Sequence, residues 1–85
     1  MPELSRFLGI VIRMYYRDHL PPHFHAEYGD FEITVALDRG IVQGRFPRHA
    51  LSAVLEWFVL HRAELDENWK RAALGLPLVP IEPLE

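Results

Sequence analysis

His23-Phe24-His25-Ala26-Glu27-Tyr28-Gly29-Asp30-Phe31-Glu32-Ile33-Thr34-Val35-Ala36-Leu37 decides the fold of this chain. Phe24, Ala26 and Tyr28 alternate with His23, His25 and Glu27, which is the period of a strand with one buried face. Phe31, Ile33, Val35 and Leu37 alternate in the same way with Glu32, Thr34, Ala36 and Asp38. Between the two runs Gly29-Asp30 suits a two-residue hairpin, with glycine supplying positive φ. Such a turn sets Tyr28 opposite Phe31, Ala26 opposite Ile33 and Phe24 opposite Val35, so apolar side chains meet apolar side chains. His23, His25 and Glu27 then point to the other face, outside the core.

On the N-terminal side, Phe7 to Arg17 reads as one strand, with Leu8, Ile10, Ile12, Met14 and Tyr16 on the core face. If Arg17 lies opposite His23, then Tyr15 faces His25 and Arg13 faces Glu27, across a loop from Asp18 to Pro22. On the C-terminal side a turn through Arg39-Gly40 leads to a short strand, Ile41 to Phe46. Pro47 fits the first position of a helix, and Arg48 to Leu60 contains no helix breaker. Leu51, Val54, Leu55 and Phe58 form one apolar stripe of this helix, and Ala53, Trp57 and Leu60 form a second that needs its own cover. An unbroken helix from Pro47 to Leu74 would reach roughly 40 Å at 1.5 Å per residue, so a break is expected near His61. There His61 and Glu64 resemble a capping box, and Leu65, Trp69, Ala72 and Ala73 of the second helix would face the first. From Gly75 onward prolines at 77, 80 and 83 imply an extended segment, which either straps across its own domain or docks on another subunit.

The pattern predicts an α+β fold: an antiparallel three- to four-stranded meander packed on one face by two C-terminal helices, with an extended Pro-rich tail. One domain is expected over residues 1–85, with sheet over 6–46, helices over 47–74 and tail over 75–85. About half of the 85 residues are apolar and a quarter charged, a soluble-protein composition. The longest apolar run, Phe7 to Tyr16, is interrupted by Gly9 and Arg13 and is too short for a membrane span, and Met1-Pro2-Glu3 lacks a basic secretion-signal start. A cytoplasmic location without membrane association is therefore expected. The chain has no cysteine, which excludes disulfide and thiolate chemistry. A net charge of -3 weighs against a broad nucleic-acid surface while leaving a local RNA contact open.

Chemistry concentrates in Asp18 to Glu27, which holds three of the five histidines. Strand residues two apart project to one side, so His23 and His25 can share an ion such as zinc, with His19 or Glu27 as a third ligand. Alternatively, Arg13, Tyr15, Arg17, His23, His25, Glu27 and Glu32 share an exposed sheet face that offers an acid, a base and a cation. Metal-free RNA cleavage needs those three components. An ordinary solvated face with an Arg13 to Glu27 ion pair accounts for the same residues without any reaction. No organic cofactor is implied.

Pro2 to Phe7 with Gly9-Ile10-Val11-Ile12, then Asp18-His19 and Pro21-Pro22-His23-Phe24-His25-Ala26-Glu27-Tyr28-Gly29, resemble the small bacterial family catalogued as domain of unknown function 4160. Leu55-Glu56-Trp57, Leu60-His61-Arg62, Glu64-Leu65, Glu67-Asn68-Trp69 and Ile81-Glu82-Pro83-Leu84 extend the resemblance over essentially the whole chain. The resemblance implies no catalytic residue. It implies instead one half of a toxin-antitoxin type module, encoded beside a second small protein and working through association with that neighbour's product or as a homodimer. A small ribonuclease-like enzyme and a non-catalytic metal-binding or regulatory module are the alternative functions.

Overall fold

The structure is a computed structural model that describes residues 2–85. Five antiparallel strands, β1 (Glu3–Phe7), β2 (Ile10–Arg13), β3 (His23–Tyr28), β4 (Phe31–Ala36) and β5 (Val42–Arg45), form one sheet in sequence order. Helices α1 (Arg48–Leu60) and α2 (Arg62–Leu74) follow, so the fold class is α+β as the alternation predicts. No helix among the described residues is long and apolar enough to cross a membrane.

The β3–β4 hairpin has the expected register, with Tyr28 opposite Phe31, Ala26 opposite Ile33 and Phe24 opposite Val35. The N-terminal segment differs from the expected single strand. Phe7 pairs with Ile10 across a two-residue turn in which Leu8 and Gly9 both have positive φ (53° and 79°), so the chain before Leu8 becomes an additional strand. Leu8 is consequently 66% exposed instead of lying in the core. Leucine seldom adopts this conformation, and an apolar residue at position 8 continues the even-numbered apolar spacing in the sequence although the buried face passes to Phe7. A bulge between Glu3 and Ser5 lets both Leu4 and Ser5 turn inward.

The core lies between one sheet face and the helices. Trp57 of α1 is fully buried, with its ring 5.6 Å from Phe7 and 5.7 Å from Phe24 between centroids. It thus belongs to the principal core instead of a second stripe, and Leu60 is left exposed. The helices meet at His61, whose backbone N–H still donates to Trp57 and Phe58 carbonyls. No capping-box bond forms there: His61 Nδ1 lies 2.6 Å from the Glu64 carboxylate, a side-chain pair at the helix start. Pro47 is the N-cap of α1, one position ahead of its expected place.

Of the two courses open to the tail, it takes the strap. Ile81 is buried and its N–H donates to Leu4 O, while Trp57 Nε1 donates to Glu82 O at 2.8 Å. Asn68, only 1% exposed, supplies the third fastening: its Nδ2 donates to Val79 O and its Oδ1 accepts from Val79 N–H. A primary amide presents a donor and an acceptor side by side, so it imitates a neighbouring strand. Ala73, expected inside, is exposed.

Replacing Asn68 with Leu keeps the volume and removes both bonds. A loss of about 1–3 kcal/mol is expected, with Tm falling roughly 4–8 °C per kcal/mol in a domain this small. Hydrogen exchange at Val79 should accelerate with it, and an unchanged melt with Val79 still protected would refute the clamp.

Candidate metal centre

β2 ends at Arg13, and the chain then reverses through Arg17 (φ 53°) before re-entering the sheet at His23. Backbone bonds anchor this excursion twice: Arg17 N–H donates to Ala72 O of α2, and Leu37 N–H donates to Pro22 O. Asp18 is thereby carried back over the start of β3. The Asp18 carboxylate meets three imidazoles through their Nε2 atoms. Its Oδ2 lies 3.0 Å from His23 and 3.2 Å from His25, and its Oδ1 lies 3.7 Å from His19.

The opposite nitrogen of each ring is engaged by another oxygen. His23 Nδ1 donates to Pro21 O at 2.7 Å and His19 Nδ1 donates to Leu20 O at 3.2 Å. His25 Nδ1 lies 3.1 Å from Glu32 Oε2. A carbonyl oxygen only accepts, so Nδ1 of His19 and of His23 must carry the proton, and in the neutral ring Nε2 then presents a lone pair. His25 stands between two carboxylates, and its neutral ring can donate to only one of them. His23 Nε2 is also buried outside the angular range of a hydrogen bond, despite its short distance to Asp18. A ring-nitrogen lone pair this close to a carboxylate oxygen is repelled by it unless a proton or a metal cation lies between them.

Asp18, His23 and His25 place ligand atoms within 4.8 Å of one another, and among the described residues they are the group of three that does so. Glu32 on His25 and the Pro21 carbonyl on His23 are outer partners of the kind that orient metal-bound imidazoles. The walls are aromatic: Tyr15 meets His25 edge-on at 4.5 Å and Trp69 of α2 lies 5.4 Å from His23. Burial, followed by the Glu27 and Glu32 carboxylates, raises the Tyr15 phenol above its ordinary range against the opposing pull of Arg13. Burial also pushes the Asp18 carboxyl upward, but the His19 backbone N–H, the bond from His25 and the other two imidazoles outweigh it and bring it below the usual value.

Several sequence-predicted positions need correction. The β2–β3 register is displaced by two residues, with Arg13 opposite His25 and Val11 opposite Glu27, an even shift that preserves the faces. Arg13 still bonds Glu27 Oε1 at 3.2 Å, so Glu27 serves an ion pair and lies outside the three-ligand group. Arg17 turns its guanidinium toward Gly75 at the end of α2 and does not join the histidines. His23 was expected outside the core and is only 5% exposed, because Trp69 covers it. Asp18 is the member of the three-residue group that the sequence pattern did not single out. Its place three residues before Pro21-Pro22 is plain in the sequence, but the reversal that brings it to His23 is a tertiary event.

The fold and centre together define a small α+β domain with a His/Asp cluster at the margin of the polar sheet face, where Trp69 of α2 closes over His23. Residues 9–70 match the family model described as Domain of unknown function (DUF4160), and the chain belongs to that family. No curated protein and no solved structure matches it.

The unequal burial of the imidazoles predicts unequal stability effects in metal-free buffer. His23→Ala removes a packed ring beside Asp18 and should cost about 2–4 kcal/mol. His19→Ala should change stability by less than about 0.5 kcal/mol. Thermal melts in chelator would check this, and equal melting temperatures for the two variants would contradict the packing described.

Proposed function

We propose that this protein is a metal-binding module in which Asp18, His23 and His25 hold one divalent transition-metal ion. The observation that carries this reading is the buried His23 Nε2, which has no hydrogen-bond partner and belongs to a ring whose Nδ1 is already committed to Pro21 O. Two imidazoles and a carboxylate suit Zn²⁺ or a related first-row ion, and three protein ligands leave coordination space for a water or another donor. The metal-free ribonuclease reading has less support, since Arg13 bonds Glu27 and Arg17 is turned toward Gly75.

Protein purified without chelator and then titrated with Zn²⁺ should take up one ion per chain. Asp18→Asn, His23→Ala and His25→Ala should abolish uptake, and Glu32→Gln should weaken it about 10–100-fold by loosening His25. Absence of stoichiometric binding by the parent protein would refute the reading.

Membership of a toxin-antitoxin type module in the cytoplasm is a second, separate proposal. It is supported by uncovered aliphatic side chains at the end of α1, where Val59 and Leu60 are 69% and 64% exposed. Co-expression with the product of the neighbouring small gene should yield a complex that Leu60→Lys weakens. Co-purification unaffected by that substitution would assign association to another surface, and no complex at all would remove the proposal.

A further inference from the structure

His19 differs from the other two imidazoles. Its side chain is 80% exposed, against 6% for His23 and 15% for His25, yet its Nε2 also faces the Asp18 carboxylate and its Nδ1 is held by Leu20 O. The ring stacks on His23 with 5.0 Å between centroids and 28° between planes. His19 Nε2 is thus a ligand-competent nitrogen beside the three-ligand group without belonging to it.

The second observation is a groove of about 340 Å³ that begins at this ring. Its lining includes His19, Pro21, His23, Thr34, Asp38 and Gln43. Sheet pairing explains the juxtaposition, since His25 lies opposite Thr34 and Thr34 lies opposite Gln43, all on the face away from the helices. His19 and His23 line one part of the groove, and the other residues named provide a hydroxyl, a carboxylate and an amide. Neither Lys nor Arg lines it.

We propose that His19 is an exchangeable fourth ligand, which closes the ion bound by Asp18, His23 and His25 and yields its place to an oxygen-donor ligand entering along the groove. This rests on the metal-binding reading and adds to it a gate and a class of ligand. A fourth protein ligand completes a tetrahedral set, whereas three leave a position for reaction or capture. His19 can alternate between these conditions because rotation of an exposed ring disturbs no core packing. Asp38, Thr34 and Gln43 would accept hydrogen bonds from the entering molecule, which favours one bearing hydroxyl or amide N–H donors over a polyphosphate.

The test uses the full chain loaded with Co²⁺, whose visible absorption is intense in tetrahedral sites and weak in sites of higher coordination number. The parent protein should show the intense band. His19→Ala should bind Co²⁺ about tenfold more weakly, the lower end of what losing a supporting group costs a site, and should show a shifted band as water takes the vacated position. Acetohydroxamate should convert the parent spectrum to a higher-coordinate one while the His19 ring resonances lose their paramagnetic shift in NMR. The same probe should bind His19→Ala more tightly than the parent, since no ligand need be displaced.

Identical Co²⁺ affinity and spectrum in parent and variant would overturn the role of His19 while leaving the three-ligand centre standing. Acetohydroxamate binding with His19 resonances still shifted would overturn the exchange. Failure of the parent to bind Co²⁺ would overturn both the gate and the metal reading. Circular dichroism of His19→Ala, expected to match the parent, separates these results from misfolding.

Discussion

Burial of Trp57 is the interaction on which the remaining structure depends. Its ring contacts Phe7 at one end of the sheet and Phe24 near the middle, and its indole N–H needs a buried acceptor, which Glu82 O supplies. One side chain therefore joins sheet, helix and tail. Burying such a ring contributes roughly 4–6 kcal/mol at 25 cal/mol per Å² over its 150–250 Å². The polar atom specifies what the apolar area cannot, because an unpaired N–H at that depth would be costly. The tail is consequently a structural layer of this domain, fastened again by Asn68 on Val79 and by Leu4 on Ile81.

With helices and tail covering one sheet face, the opposite face carries the polar set. Strand alternation delivers His25, Glu27, Glu32 and Thr34 there, and an ordinary ion pair between Arg13 and Glu27 occupies part of it. The histidine end is different because the Arg17 reversal imports a carboxylate from outside the sheet. Three imidazoles then converge on Asp18 with their opposite nitrogens engaged. This orientation is what the proposed metal centre rests on, since it gathers three ring nitrogens around one carboxylate. The aromatic walls, Tyr15 and Trp69, reduce water access and strengthen the interactions within it.

The gradient of burial across the cluster has functional weight. His23 is buried between His19, His25 and Trp69, whereas His19 is exposed and held mainly by its own loop. In the proposed centre this contrast would let the outer ring exchange without repacking the domain.

The sequence by itself determined whatever follows from periodicity. The β3–β4 register, the sheet face bearing His23, His25 and Glu27, and the break near His61 were legible because apolar spacing and helix length are local quantities. The Leu8-Gly9 hairpin was not, since an apolar Leu8 imitates continued alternation and stands where turn chemistry favours glycine or asparagine. Register between β2 and β3 was misread by two residues because an even shift alters no face. Asp18 and Asn68 became meaningful only in three dimensions. A carboxylate acquires its role from the imidazoles that a chain reversal brings to it, and a buried amide from the strand it fastens, and neither partner is a sequence neighbour at a characteristic spacing. Tertiary structure decided the centre because ligand geometry depends on where loops return, and loop paths are set by distant anchors such as Ala72 O and Pro22 O.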